Sequence, residues 1–185
     1  MTPVAGLFGK LPAHGDFVRR GWADATVDAI DRWLTETIAN ARAARDIDAF
    51  GLWMRAAPLW RGFVPAGRLG PQALHLGIAP SIDRAGRLFA VAAGIAAEAG
   101  TAWRHATTAG GTVDAALYDA LAGERDADAV IEAIAASIDW TPGTVSDRAT
   151  PTVSAWWLAS DGEPVIESGS VDASLLERLL GGGLR

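Results

Sequence analysis

Between residues 59 and 97 the apolar residues abandon a helical period. Three short runs, "LWRGFVP", "ALHLGIAP" and "RLFAVAAGIAA", are separated by Gly, Pro and Asp punctuation. No stretch between them is long enough or periodic enough to form a helix. Strands joined without a crossover helix pair antiparallel, because a parallel neighbour needs a connection of a dozen or more residues. The centre of the chain therefore reads as a strand meander, and the rest must pack on the faces of the sheet it forms.

The flanks supply those packing elements. "VAGLFGK" is compatible with a first strand, and Pro12 and Gly15 in "LPAHGD" stop a helix from starting directly after it. Asp24 reads as an N-cap. From there Val27, Ile30, Leu34, Ile38 and Ala41 form one apolar stripe of a long helix. Asp28, Asp31, Arg32 and Glu36 lie off that stripe, and Arg42 and Arg45 suit the negative C-terminal end. A shorter helix is expected over Asp46 to Ala57, ending before Pro58. Further on, Thr112 reads as a cap for a helix bearing Val113, Leu117 and Leu121, with Gly123 as its stop. "DADAVIEAIAASI" predicts another helix, closed by "DWTPG". "TVSAWWLA" and "EPVIES" predict a hairpin around "SDG", and a last helix runs from Ser170 to about Leu180. The Ala-rich stretch after residue 97 carries no clear signal. This order predicts an α/β fold in a single domain over residues 1–185, with a mixed, partly antiparallel sheet flanked by helices.

Composition narrows the function classes. The chain has 185 residues, 50% of them hydrophobic, enough to bury a core without staples. It has no cysteine, so disulfides and thiolate metal sites are excluded. A net charge of −6 argues against a nucleic-acid partner, which would require a basic face. Leu88 to Ala97, the longest uncharged apolar run, is too short to cross a bilayer. The first residues lack the basic start and apolar core of a signal peptide. A soluble, cytoplasmic chain is expected, with no membrane insertion.

Three stretches invite a chemical reading. "GLFGK" contains the chain's one lysine, Lys10, but only two residues separate Gly6 from Gly9 and Leu11 follows the lysine. A phosphate loop needs a longer glycine spacing and a following Ser or Thr hydroxyl for Mg²⁺, so the loop is read as a strand end. His14 and Asp16 in "HGD" are metal-competent types, yet a site needs three or more protein ligands, and His75 and His105 lie in unrelated contexts. Asp16 alternatively closes a turn. In "APSIDRAGR", Ser81 and Asp83 suggest a nucleophile and a carboxylate, with His14 free to approach in space; this is the hydrolase or metal-dependent esterase alternative. No G-x-S-x-G elbow surrounds Ser81, and a β-turn over Asp83 to Gly86 accounts for the same residues. Arg84 and Arg87 could pair with Asp83 or Asp16. Trp60, Trp156 and Trp157 fall in expected strands, with the adjacent pair aimed at opposite faces of the sheet. Core is their default place.

Four stretches in this order, "GLFGKLPAHGDFVRR", "APLWRGF", "APSIDRAGR" followed by "LF", and "SAWW", resemble the TagF family of type VI secretion-associated proteins. The resemblance covers about Val4 to Ala159. It implies a three-layer α/β sandwich and a non-enzymatic cytoplasmic accessory protein without cofactor. It further implies a post-translational negative regulator acting through the forkhead-associated scaffold protein Fha. By motif position, Lys10, His14, Asp16, Arg61, Ser81, Asp83, Arg84 and Arg87 are the polar members, and Trp60, Trp156 and Trp157 the aromatic ones. Lys10, His14 and Asp16 are expected to meet the "PSIDR" turn in a polar cluster.

Overall fold

A computed structural model describes residues 2–138, 149–159, 164–167 and 170–181. The chain begins with β1 (Val4–Gly9) and β2 (Val18–Arg20), followed by α1 (Asp24–Ala43) and α2 (Ile47–Ala56). The meander comes next as β3 (Trp60–Val64), β4 (Ala73–Ile82) and β5 (Leu88–Ala97). Helices α3 (Ala99–Thr108), α4 (Gly110–Leu121) and α5 (Ala127–Ala136) follow, then β6 (Ser154–Leu158), β7 (Val165–Glu167) and α6 (Ala173–Leu180). The strands form one seven-stranded sheet in the order β2-β1-β5-β4-β3-β6-β7.

Every strand pairing among the described residues is antiparallel, so the expected mixed sheet is corrected to an antiparallel one. Helices α1 and α2 carry the chain from the β1 end of the sheet to a non-neighbouring position. β1 pairs with β5, and β3 lies two strands further on. The meander itself is as expected, with β4 and β5 in register from Ala73 opposite Ala97 to Ile82 opposite Leu88.

Strand alternation sends successive side chains to two separate cores. On one face Phe8, Trp60, Leu74, Leu76, Ile78 and Trp156 pack against α1, α2 and α6. On the other, Leu7, Phe63, Ala79, Val91, Ile95 and Trp157 pack against α3, α4 and α5. The expected stripe of α1 faces the first core, where Ile30 and Leu34 are fully enclosed. Each such side chain contributes about 1.5–3 kcal/mol of gross hydrophobic stabilisation.

Helix ends differ in detail from the sequence reading. Asp24 is the first helical residue, and Ala23 at the cap position makes no side-chain cap bond. Thr112 lies inside α4, which starts at Gly110. Asp46, expected as the start of a helix, is the cap of α2, accepting the amide of Ala49 at 2.8 Å. Neither α3 nor β2 was expected. α3 buries Ala102, Trp103, His105 and Ala106, but most of its residues are Ala, Gly or Thr, which mark no apolar stripe. The hairpin of β6 and β7 forms, although its "SDG" link and the "DWTPG" stretch lie outside the described residues.

Candidate functional site

The end of β1 answers what "GLFGK" does. Gly9 has φ +134°, and a side chain there would run into the carbonyl of Ala90 on β5, so only glycine fits. The ladder continues one residue further through Lys10 N–H donating to Ala90 O at 3.1 Å. This seats Lys10 at the sheet's end with 6% of its surface exposed. Its ammonium donates to Oδ2 of Asp83 at 2.9 Å, across 73 positions of sequence.

Asp83 opens the turn between β4 and β5, closed by Gly86 N–H donating to Asp83 O at 2.8 Å. Its carboxylate accepts at every side. Oδ1 takes the amides of Ala85 at 2.9 Å and Arg87 at 3.0 Å, and Oδ2 also takes Arg87 Nε at 2.6 Å. Burial alone would raise its pKa. The Arg87 amide, the Lys10 ammonium and the Arg87 guanidinium prevail and hold it well below the usual carboxylate range. The turn then clasps the first motif: Arg84 N–H donates to His14 O at 2.8 Å and Arg87 Nη2 to Gly15 O at 2.8 Å. Phe17 closes over Lys10, 5.0 Å from ammonium to ring centroid, and packs edge-on against Phe89.

The two motifs therefore meet, but not through Asp16. Its Oδ1 accepts the next amide, Phe17 N–H, at 2.8 Å, and no ion pair joins it to Arg84 or Arg87 among the described residues. Asp16 faces solvent on the outside of its turn, while Lys10 projects from the strand end toward the neighbouring hairpin. His14 turns elsewhere: Nε2 accepts Ala127 N–H at 3.1 Å, satisfying a free amide in the first turn of α5. That bond requires the neutral ring with its proton on Nδ1.

Ser81 does not join a triad. It is 5% exposed, and its Oγ makes one long bond of 3.4 Å, to Ile82 O. The nitrogen His14 would need for base catalysis is held by α5, and the Asp83 carboxylate by cations and amides. Arg61 sits apart on β3, in a bidentate ion pair with Asp114 of α4. Burial raises the Asp114 pKa against the pull of that guanidinium. The tryptophans are core. Trp60 donates its indole N–H to Leu179 O at 2.7 Å. Trp156 lies over Gly62, the residue opposite it in the ladder, where a Cβ would collide with the ring. Trp157 packs on Trp103 from the other face, at 5.6 Å between centroids.

Sequence reasoning missed a buried histidine pair. His75 Nδ1 and His105 Nδ1 are 2.6 Å apart, and His105 Nε2 is 2.9 Å from Ser137 Oγ, which itself donates to Ile134 O at 2.7 Å. Because the Ser137 proton is committed, His105 donates from Nε2 and accepts at Nδ1, so His75 donates from Nδ1. Burial, then the charge of His105 and Arg61, pushes the His75 pKa well below the imidazole range. Burial and then Arg104 push His105 down to about 4. The alternation of β4 puts His75 on this face, but His105 lies on the helix that the sequence did not reveal. Among the described residues no three His, Asp or Glu side chains gather as a metal site would require.

Beside the Lys10–Asp83 clasp lies a cleft of about 340 Å³, reached by residues from α2, β4 and α4. Among the described residues, no helix is long and apolar enough to cross a membrane.

Comparison with known proteins finds a related fold and a family. PA0076 from Pseudomonas aeruginosa PAO1, known from a crystal structure at 2.05 Å resolution, is similar over 96% of this chain and 94% of its own. The two share 25% identity, with a TM-score of 0.74. No curated protein matches. The family model for the TagF N-terminal domain, type VI secretion system-associated, matches residues 6–139, which takes in Lys10, His14, the Asp83 turn and the ion pair of Arg61 with Asp114. The chain belongs to the TagF N-terminal domain family of type VI secretion system-associated proteins.

Proposed function

We propose that this chain is a non-enzymatic, cytoplasmic accessory protein that restrains a type VI secretion system by binding its forkhead-associated scaffold protein, Fha. The supporting observation is the commitment of the motif side chains to one another. Asp83 is saturated by Lys10, Arg87 and two amides, His14 by α5, and the turns at the two motifs are clasped together. Groups spent in this way build a rigid end to the sheet, a platform suited to recognition. A general base or nucleophile must keep its reacting atom available to substrate. The layered arrangement, helices over both faces of one sheet, is read as a three-layer sandwich and leaves the loops at the strand ends as the variable surface. Restraint then follows from occupancy: a scaffold held by this chain is withheld from the secretion machinery without covalent change.

Calorimetric titration of the purified chain with the Fha-type scaffold of the same organism tests this. Saturable binding, with no turnover of generic ester or phosphoester substrates, is the expected result. Absence of binding, or hydrolysis that depends on Ser81, would overturn it.

A further inference from the structure

We propose that the cleft beside the clasp docks an extended segment of a partner protein that combines apolar and acidic residues. This rests on the protein-binding reading and adds where, and to what chemistry, the chain binds.

The first observation is an open strand edge. β3 pairs with β4 only as far as Trp60 opposite Ile78, whereas β5 accompanies β4 to Ile82. Residues Ala79–Ile82 are thus paired with a strand on one side, and all of this stretch lines the cleft. Pro80, which lacks an N–H, is of the type that natural sheets place on an edge. An unpaired edge accepts an extended chain through main-chain hydrogen bonds, while flanking pockets select its side chains.

The second observation concerns those flanks. Ile82 and Tyr118 are 41% and 54% exposed at the cleft and present large apolar surface there. Ser81, 5% exposed, contributes a hydroxyl whose one bond is long. A cleft of about 340 Å³ has the size of a small pocket, enough for a few side chains.

The third is charge. In a chain of net charge −6 the cleft lining contains no carboxylate among the described residues, and Arg55 is part of it. Arg84 and Arg87 stand on the turn that directly follows Ile82, where the carboxylate of Asp83 is already matched by buried Lys10. The side chains of Arg55 and Arg84 make no hydrogen bond or ion pair among the described residues. This end of an acidic molecule is therefore locally basic, which favours a carboxylate-bearing segment.

A phage-displayed random peptide library panned against the whole chain tests the proposal. Selected peptides are then synthesised with a fluorophore and titrated by anisotropy against wild type, Arg55→Glu/Arg84→Glu and Tyr118→Ala. All three sites are solvent-exposed, and circular dichroism checks that each variant folds. Acidic, apolar peptides that bind either variant about tenfold more weakly are expected. No enrichment, enrichment of basic or purely apolar peptides, or equal binding to all variants would overturn it. The same variants titrated with the Fha scaffold separate the two readings. Scaffold binding that survives both substitutions retains the regulator and removes this cleft as its docking site. Acidic peptides bound at the cleft without any scaffold binding retain the cleft and remove the proposed partner.

Discussion

The two faces of the sheet are held by different means. Under α1, α2 and α6 the core is aromatic and aliphatic: Trp33, Trp60 and Trp156 lie with leucines and isoleucines, and two of these indoles donate to backbone carbonyls of the C-terminal segment. Under α3, α4 and α5 the strands present Ala5, Ala73, Ala79, Ala93, Ala97 and Ala155 among larger side chains, and alanine-rich helices pack on them. That thinner core includes polar pairs bridging strand to helix, Arg61 with Asp114 and His75 with His105. Large side chains hold a helix by area. Small ones let the backbones approach but leave register weakly specified, and we infer that the polar pairs supply it.

Removing the largest anchor of the first face should cost most. Trp156 is fully enclosed, so Trp156→Ala is expected to lower unfolding stability by about 3–5 kcal/mol in urea titrations. On the second face, Asp114→Ala strands a guanidinium whose side chain is 15% exposed and should cost about 3 kcal/mol. If the pair confers specificity more than stability, Arg61→Met/Asp114→Leu should recover most of that loss. A near-neutral single variant would erase the contrast between the faces.

The histidine pair makes the second face acid-sensitive. Both rings are held below their ordinary value of 6.5, so as pH falls the unfolded chain takes up protons first. The stability present above pH 6.5 is lost progressively toward pH 4, by about 2 kcal/mol, since His105 is partly reached by solvent. Asp114, with its raised pKa, works in the opposite direction, and the depressed Asp83 adds its own loss only below the ordinary carboxylate range. Thermal denaturation between pH 7.5 and 5 reads this slope, and His75→Leu/His105→Leu should flatten it. An unchanged slope would assign the acid sensitivity elsewhere.

Overpacking probes the thin core directly. Ala93 is fully buried beneath the second helical layer, and Ala93→Leu is expected to destabilise by about 1–3 kcal/mol. The smallest effect concerns the motif loop: His14→Ala removes the acceptor of Ala127 N–H and should cost about 1 kcal/mol, with α5 opening more readily in hydrogen exchange.

Local periodicity by itself determined the meander of β3, β4 and β5, the stripe of α1, and the opposite orientations of Trp156 and Trp157. Each depends on residues a few positions apart, whose burial pattern is dictated by backbone geometry. α3 stayed hidden because most of its residues are Ala, Gly or Thr, which mark no apolar stripe, and β2 because three residues show no alternation. Tertiary structure decided the rest. The neighbours of β1 and β3, the union of Lys10 with Asp83, the diversion of His14 to α5 and the meeting of His75 with His105 all join distant segments. Such contacts are selected by the free energy of the whole packed core against loop-closure entropy, and no short window of sequence contains both sides of that balance.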